Sequence, residues 1–150
     1  MQKVIFRNCD ESSPCWSELE GLFQSQWSDF KFKDTYKDSV QLPPVITVLR
    51  ENVVIGGLAY SHFQEPYQVR DVVWINAVFV EPQWRGQGIA SELINRGVEQ
   101  MPVYYQSQSS KDSTSNLYAY TNIAPLYLSL GWSIVEIETE PNHHVMSVSF

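Results

Sequence analysis

Residues 78–90 read Val-Phe-Val-Glu-Pro-Gln-Trp-Arg-Gly-Gln-Gly-Ile-Ala, a run of strand formers, a glycine turn and the start of a helical pattern in direct succession. Val78, Phe79 and Val80 close an apolar, β-branched and aromatic run that reads as a strand. Pro82 ends its ladder, because proline has no N–H to donate. Arg85-Gly86-Gln87-Gly88 then turns the chain into a helix that carries Ile89 and Ala90. The first N–H groups of a helix have no internal acceptor, and the helix dipole adds partial positive charge there. Glycine lets such a backbone come close to a ligand, because no Cβ stands in the way. The stretch suits a phosphate or pyrophosphate at residues 85–90. Two common phosphate binders are excluded. No Gly-Lys-Ser/Thr follows, as a P-loop needs, and neither the three-glycine spacing nor the later acidic residue of a dinucleotide turn is present.

A second stretch sits downstream. Thr121-Asn122-Ile123-Ala124-Pro125-Leu126-Tyr127-Leu128-Ser129-Leu130-Gly131-Trp132 reads as a short helix over 125–130 that carries a tyrosine. Pro125 fits its first turn, and Gly131 ends it as a left-handed cap.

Other elements must hold these two stretches in place. Residues 3–7 read as a strand. Pro14 fits a first helical turn, with Ser13 or Asp10 as the N-cap. Trp16, Leu19, Phe23 and Trp27 then recur at helical spacing. That face reads as core, with Trp16, Trp27 or Phe30 available to line a pocket; Trp27 is the candidate carried forward. Phe32 and Tyr36 suggest a second short helix within 28–39, ended by Pro43-Pro44. Residues 45–50 and 53–61 read as a hairpin around Glu51-Asn52. Gly56-Gly57 marks a bulge or a close approach of another chain segment. Residues 72–80 form the strand that feeds the glycine turn. Asn76 interrupts it, which implies a bulge or a face opened to a ligand. In the following helix Ile89, Leu93, Ile94, Val98 and Met101 share one face. Pro102 is expected to stop that helix, with 104–115 as loop. Strands follow at 117–121, 132–140 and 145–150, the last two around Pro141-Asn142. Three consecutive strands before the main helix exclude a purely alternating fold, and a mixed sheet flanked by helices is the packing solution.

The totals set limits. At 150 residues, 43% of them hydrophobic and 18% charged, the chain reads as one globular domain spanning 1–150. No apolar run reaches the roughly 18–20 residues of a membrane helix. A soluble, cytoplasmic protein without membrane partners is expected. A net charge of −7 opposes a nucleic-acid partner and suits a cationic one, such as an amine. Cys9 and Cys15 are the only cysteines; they do not make a zinc site, and reduced thiols are expected. No metal is implied. His143 and His144 read as exposed turn residues, and Glu136, Glu138 and Glu140 as one solvated strand face.

The sequence resembles the GNAT superfamily of acyl-CoA-dependent N-acyltransferases. The family motif Arg/Gln-x-x-Gly-x-Gly/Ala, after a strand ending Val-x-Pro, matches Arg85-Gly86-Gln87-Gly88-Ile89-Ala90 after Val80-Glu81-Pro82. Its later signature, Tyr-x-x-x-Gly-Phe/Trp, matches Tyr127 through Trp132. The resemblance implies an α/β (α+β) single domain. Its sheet would be seven-stranded, mixed and mostly antiparallel, flanked by about four helices and splayed between the fourth and fifth strands. It also implies acetyl-CoA as cosubstrate. Backbone of Arg85, Gly86, Gln87, Gly88, Ile89 and Ala90 would hold the pyrophosphate, and Val78, Phe79 and Val80 the pantetheine arm. Asn122 is a further candidate cofactor contact. Tyr127 would act on the departing thiolate as general acid or hydrogen-bond donor, since a phenol of pKa about 10 is protonated at neutral pH. The family's glutamate position on the strand is Asn76 here, which is no base but can meet substrate. Glu65, Asp71 and His62 are the base candidates, each equally readable as surface charge. The implied activity is acetyl transfer to a small amine by direct attack in a ternary complex, by a monomer or homodimer. A CoA-binding sensor and a protein or peptide N-acetyltransferase are the alternatives.

Overall fold

The computed structural model describes residues 3–37, 41–107 and 115–150. Its elements run β1 (Ile5–Cys9), α1 (Cys15–Gln26), a 3-10 turn (Phe32–Asp34), β2 (Val45–Arg50), β3 (Val53–Gln64), β4 (Asp71–Val80), a 3-10 turn (Pro82–Trp84), α2 (Ile89–Glu99), α3 (Met101–Ser107), β5 (Asn116–Thr121), α4 (Ala124–Ser129), β6 (Ser133–Val135) and β7 (His144–Ser149). The strands form one seven-stranded sheet in the order β1-β2-β3-β4-β5-β7-β6. Neighbouring strands are antiparallel throughout, except β4 and β5. That parallel pair joins only Trp74 to Tyr118 and Ile75 to Ala119, and beyond it the two strands part. The expected mixed sheet and its splay are both present.

The two faces of the sheet bury separate cores. Leu58, Tyr60, Leu93, Ile94, Met101, Leu117 and Met146 pack on the α2 face. Leu19, Phe23, Phe32, Ala59, Ala77 and Phe79 pack under α1. Asn76 controls which side chains of β4 serve which core. Ala59 pairs with Ala77 and Tyr60 with Ile75, so Asn76 is the extra residue of a β-bulge. A bulge reverses the alternation of a strand. Accordingly Val73 and Ile75 face the α2 core before it, and Ala77 and Phe79 face α1 after it.

Close approach explains the paired glycines. A Cβ on Gly57 would lie 2.6 Å from the Leu19 methyls, and one on Gly56 would collide with the Phe79 carbonyl. The first lets α1 seat deeply on β3, and the second brings β4 tight against β3. Glu51 and Asn52 both have positive φ, at 51° and 66°, as a two-residue hairpin with the sheet's twist requires.

Several expectations are corrected. Cys9 and Cys15 are bonded to each other across 6.6 Å between Cα atoms, not reduced. The turn between them is folded by the Asp10 carboxylate, which accepts from Ser12 N at 2.9 Å and from both the Ser12 and Ser13 hydroxyls. Asp10 therefore caps that turn, and α1 itself begins after Pro14 with no side-chain cap. Only a 3-10 turn forms within 28–37, and residues 38–39 of the expected second helix lie outside the described residues. Pro102 does not end helical structure. Helix α2 stops at Glu99, α3 starts at Met101, and Pro102 falls in the first turn of α3, where its missing N–H costs nothing. Of the expected loop over 104–115, residues 108–114 lie outside the described residues. The strand expected at 132–140 is only Ser133–Val135, because Ile137 N bonds back to the Val135 carbonyl at 3.0 Å and turns the chain off the sheet.

Candidate active site

The glycine turn is built as its residues require. Glu81 N donates to the Ile55 carbonyl at 2.8 Å, which fixes the end of β4, and Arg85 N closes the 3-10 turn on Pro82 at 3.2 Å. Gly86 and Gly88 both adopt φ 81°, the left-handed region that a side chain would strain. A Cβ at either position would meet open space within 4 Å, so the backbone faces outward freely. Helix α2 starts after Gly88 with no side-chain cap. Its first N–H groups are therefore available to an anion. Gln87 is exposed, whereas the Ile89 side chain enters the core, so Ile89 offers only backbone to a ligand. Arg85 is held back against the strand. Its Nε donates to the Val80 carbonyl at 2.7 Å, and its guanidinium lies 5.3 Å from the Phe79 ring centre. Trp84 packs against the α2-side core.

A cleft of about 1470 Å³ opens where β4 and β5 part. Val78, Phe79, Val80, Arg85 and Ala90 line it from β4, the turn and α2, and Asn122 and Tyr127 from the segment after β5. Thr121 turns that segment, accepting from Ile123 N on its hydroxyl at 2.9 Å, and leaves Asn122 exposed. Tyr127 is only 5% exposed, with its ring edge-on to Trp132 at 5.0 Å between centres. Its hydroxyl lines the cleft without a hydrogen-bond partner among the described residues. Burial pushes its pKa up, so it stays protonated and available as a donor. Gly131, at φ 92°, ends α4 and directs Trp132 back against the tyrosine.

The remaining walls come from α1, the β3–β4 hairpin and the β6–β7 connection. Trp27 follows the last residue of α1, is 41% exposed and lines the cleft, as does the bulged Asn76. The base candidates separate. Glu65 reaches the cleft and is buried, but both oxygens are engaged: Arg70 Nε donates to Oε2 at 2.5 Å, and the Tyr118 hydroxyl to Oε1 at 3.2 Å. Asp71 sits exposed at the start of β4, outside the cleft walls. His62 alternates with Ser61 and Phe63, which line the cleft, and it does not. Partial burial lowers its pKa, against an opposing pull from Asp71.

Sequence reading missed Phe63, Trp74, Tyr120 and His143, all of which line the cleft. Tyr120 and Trp74 lie at the parting of the strands, a place set by long-range register that no local pattern carries. His143 arrives there because Thr121 pairs with His144. Its only local signal is the Pro141-Asn142 turn directly before it.

A splayed sheet, an uncapped helix behind a glycine turn and an unpartnered tyrosine in the gap define an acyl-CoA-dependent transferase. The chain belongs to the GNAT acetyltransferase family, whose profile, "Acetyltransferase (GNAT) family", matches residues 9–106. Acetyl-CoA is accordingly its cosubstrate. Among solved structures it is similar to the GNAT family N-acetyltransferase YhbS of Escherichia coli in complex with CoA, at 13% identity and TM-score 0.70, over 99% of this chain and 82% of that one. It is also similar to Arabidopsis thaliana Naa50 bound to the bisubstrate analogue CoA-Ac-MVNAL, at 18% identity and TM-score 0.60, over 98% and 99%. A third is an aminoglycoside acetyltransferase from an uncultured soil metagenomic sample, at 16% identity and TM-score 0.59, over 91% and 93%. No curated protein matches it.

Proposed function

We propose that this protein transfers the acetyl group of acetyl-CoA to the amine of a small, cationic acceptor, by direct attack within a ternary complex. The observation that carries the reading is Tyr127, which lines the gap between β4 and β5 with a hydroxyl that has no protein partner among the described residues. A module that only bound CoA would have no use for a free proton donor at that place.

In this reading the pyrophosphate rests on the N–H groups of residues 86–90, and the pantetheine amides run along Val78, Phe79 and Val80. The thioester carbonyl lies in the gap beside Asn76. The amine attacks it from the side of Trp27 and Phe63. As the C–S bond breaks, Tyr127 donates to the sulfur. A thiol of pKa about 8.5 is more acidic than a phenol. Tyr127 therefore stabilises the thiolate chiefly by a charge-assisted hydrogen bond. Neither cysteine lines the cleft, and both are in the disulfide, which fits direct attack better than a covalent acyl-enzyme. The exposed carboxylates of Glu138 and Glu140 at the cleft favour a cationic acceptor.

The test is free-thiol release from acetyl-CoA with an amine panel of spermidine, kanamycin, tyramine, amino acids and a short Met-initiated peptide. Amine-dependent release with a small amine supports the reading. Release with the peptide alone makes the protein a peptide N-acetyltransferase. Tight CoA binding without release for any amine makes it a sensor.

A further inference from the structure

We infer that His143 is the proton acceptor for the attacking amine, an assignment that rests on the acyl-transfer reading. Three observations converge on it. The first is position. The last β4–β5 pair is Ile75 with Ala119, so Tyr120 is the first β5 residue past the parting of the strands. The His143 ring stacks on the Tyr120 ring, 5.1 Å between centres at 21°, and both line the cleft. The imidazole therefore stands at the mouth of the gap that admits the thioester.

The second is fixation. His143 N donates to the Glu140 carbonyl at 3.1 Å, and the His143 carbonyl accepts from the Thr139 hydroxyl at 2.6 Å. Glu140 N donates in turn to the Tyr120 hydroxyl at 3.3 Å. The turn thus fixes the His143 backbone and Tyr120 holds one face of its ring, and a pre-positioned base is worth more than a mobile one.

The third is tautomer. His143 Nδ1 lies 3.0 Å from the Pro141 carbonyl, an oxygen that can only accept. Nδ1 must carry the proton, so in the neutral ring the lone pair is on Nε2. Nε2 has no partner among the described residues. Neither Asp71 nor Glu65 matches this, the first being outside the cleft and the second doubly engaged.

The step balances. One proton of the entering ammonium passes to Nε2. The freed nitrogen lone pair forms the C–N bond, and the C–S pair leaves on sulfur. The second nitrogen proton ends on the sulfur beside Tyr127, and the imidazolium returns its proton to solvent. The charged and titratable groups around the ring are Glu138 and Glu140 on its own turn, Tyr120 on β5, His144 on β7, and the Glu65–Arg70 pair on the hairpin. Glu65 is neutralised by Arg70, and the carboxylates of Glu138 and Glu140 favour an ammonium arriving at this place.

The experiment measures kcat and KM from pH 5 to 9 with the panel amine that turns over fastest, for wild type, His143→Gln, His143→Ala and His144→Gln. His143→Gln is expected to lose about 100-fold or more in kcat. It should also lose the acid limb of the pH profile and leave the Kd for acetyl-CoA unchanged. Added imidazole should restore part of the activity of His143→Ala, and His144→Gln should behave as wild type. A His143→Gln enzyme that keeps wild-type kcat and the same acid limb overturns the assignment while leaving acyl transfer intact. Absence of wild-type turnover with every amine removes the acyl-transfer reading and this assignment with it.

Discussion

Replacing Tyr127 with phenylalanine should lower turnover and leave stability nearly unchanged. The ring is buried, and the hydroxyl faces the cleft with no hydrogen-bond partner among the described residues. Its removal breaks no protein hydrogen bond and leaves no buried polar group unpaired. The ring stays edge-on to Trp132, so the packing of α4 is kept. The apo variant should therefore be about as stable as wild type in urea unfolding. Catalysis loses the donor to the leaving thiolate. A hydrogen bond to a charged group is worth about 1.5–3 kcal/mol, which is roughly 10- to 150-fold in rate. The loss should fall on kcat, with acetyl-CoA affinity hardly changed, because the bond strengthens only as charge develops on sulfur. Stopped-flow thiol release and calorimetric titration of acetyl-CoA separate the two quantities. A destabilised variant with unchanged kcat would refute the reasoning, because the tyrosine would then be a structural residue and no donor.

Further predictions concern the turn, the disulfide and His62. Gly88→Val places a β-branched side chain at φ 81°. It should cost about 1–2 kcal/mol of stability or more and weaken CoA at least tenfold by titration calorimetry; unchanged affinity would exclude the turn as the pyrophosphate site. Cys9→Ser, or reduction, opens the short loop between Cys9 and Cys15. By the loop-entropy relation this costs about 2 kcal/mol, a fall in Tm of roughly 4–8 °C. An unchanged Tm together with two titratable thiols would contradict the bridge. His62 has a folded pKa below 6.5 because partial burial disfavours its charged form. Its contribution is therefore present above pH 6.5 and lost as pH falls through the lower folded value. The NMR titration midpoint should lie below 6.5, and His62→Gln should flatten stability across that window.

The local parts of the site were legible, because each is fixed by neighbouring residues. Pro82, Gly86 and Gly88 have one good conformational use in that order, and Gly131 after a short helix has another. Asn76 announced its bulge by being polar inside an apolar strand. The turn at Glu51-Asn52 announced its hairpin. What stayed hidden depended on contacts between distant segments. The spacing of Cys9 and Cys15 does not say that the Asp10 carboxylate folds the turn between them. Pro102 looked like a stop, because its tolerance depends on α2 ending three residues earlier and a new helix starting at Met101. The alternation from Trp132 to Glu140 looked like a strand, yet the chain leaves the sheet after Val135. Its glutamates are nonetheless exposed, as the pattern required. Glu65 and Asp71 were equal candidates in sequence, and only the curl of the hairpin against Tyr118 distinguishes them. His143 enters the cleft through the pairing of β5 with β7, which nothing near it in sequence encodes.

The most direct test of the account is a crystal structure with acetyl-CoA bound. The expected complex has the pyrophosphate on the N–H groups of residues 86–90 and the pantetheine amides paired with Val78 and Val80. The thioester sulfur should lie within hydrogen-bond distance of the Tyr127 hydroxyl. A cofactor seated away from the glycine turn, or a thioester sulfur beyond reach of Tyr127, would contradict it.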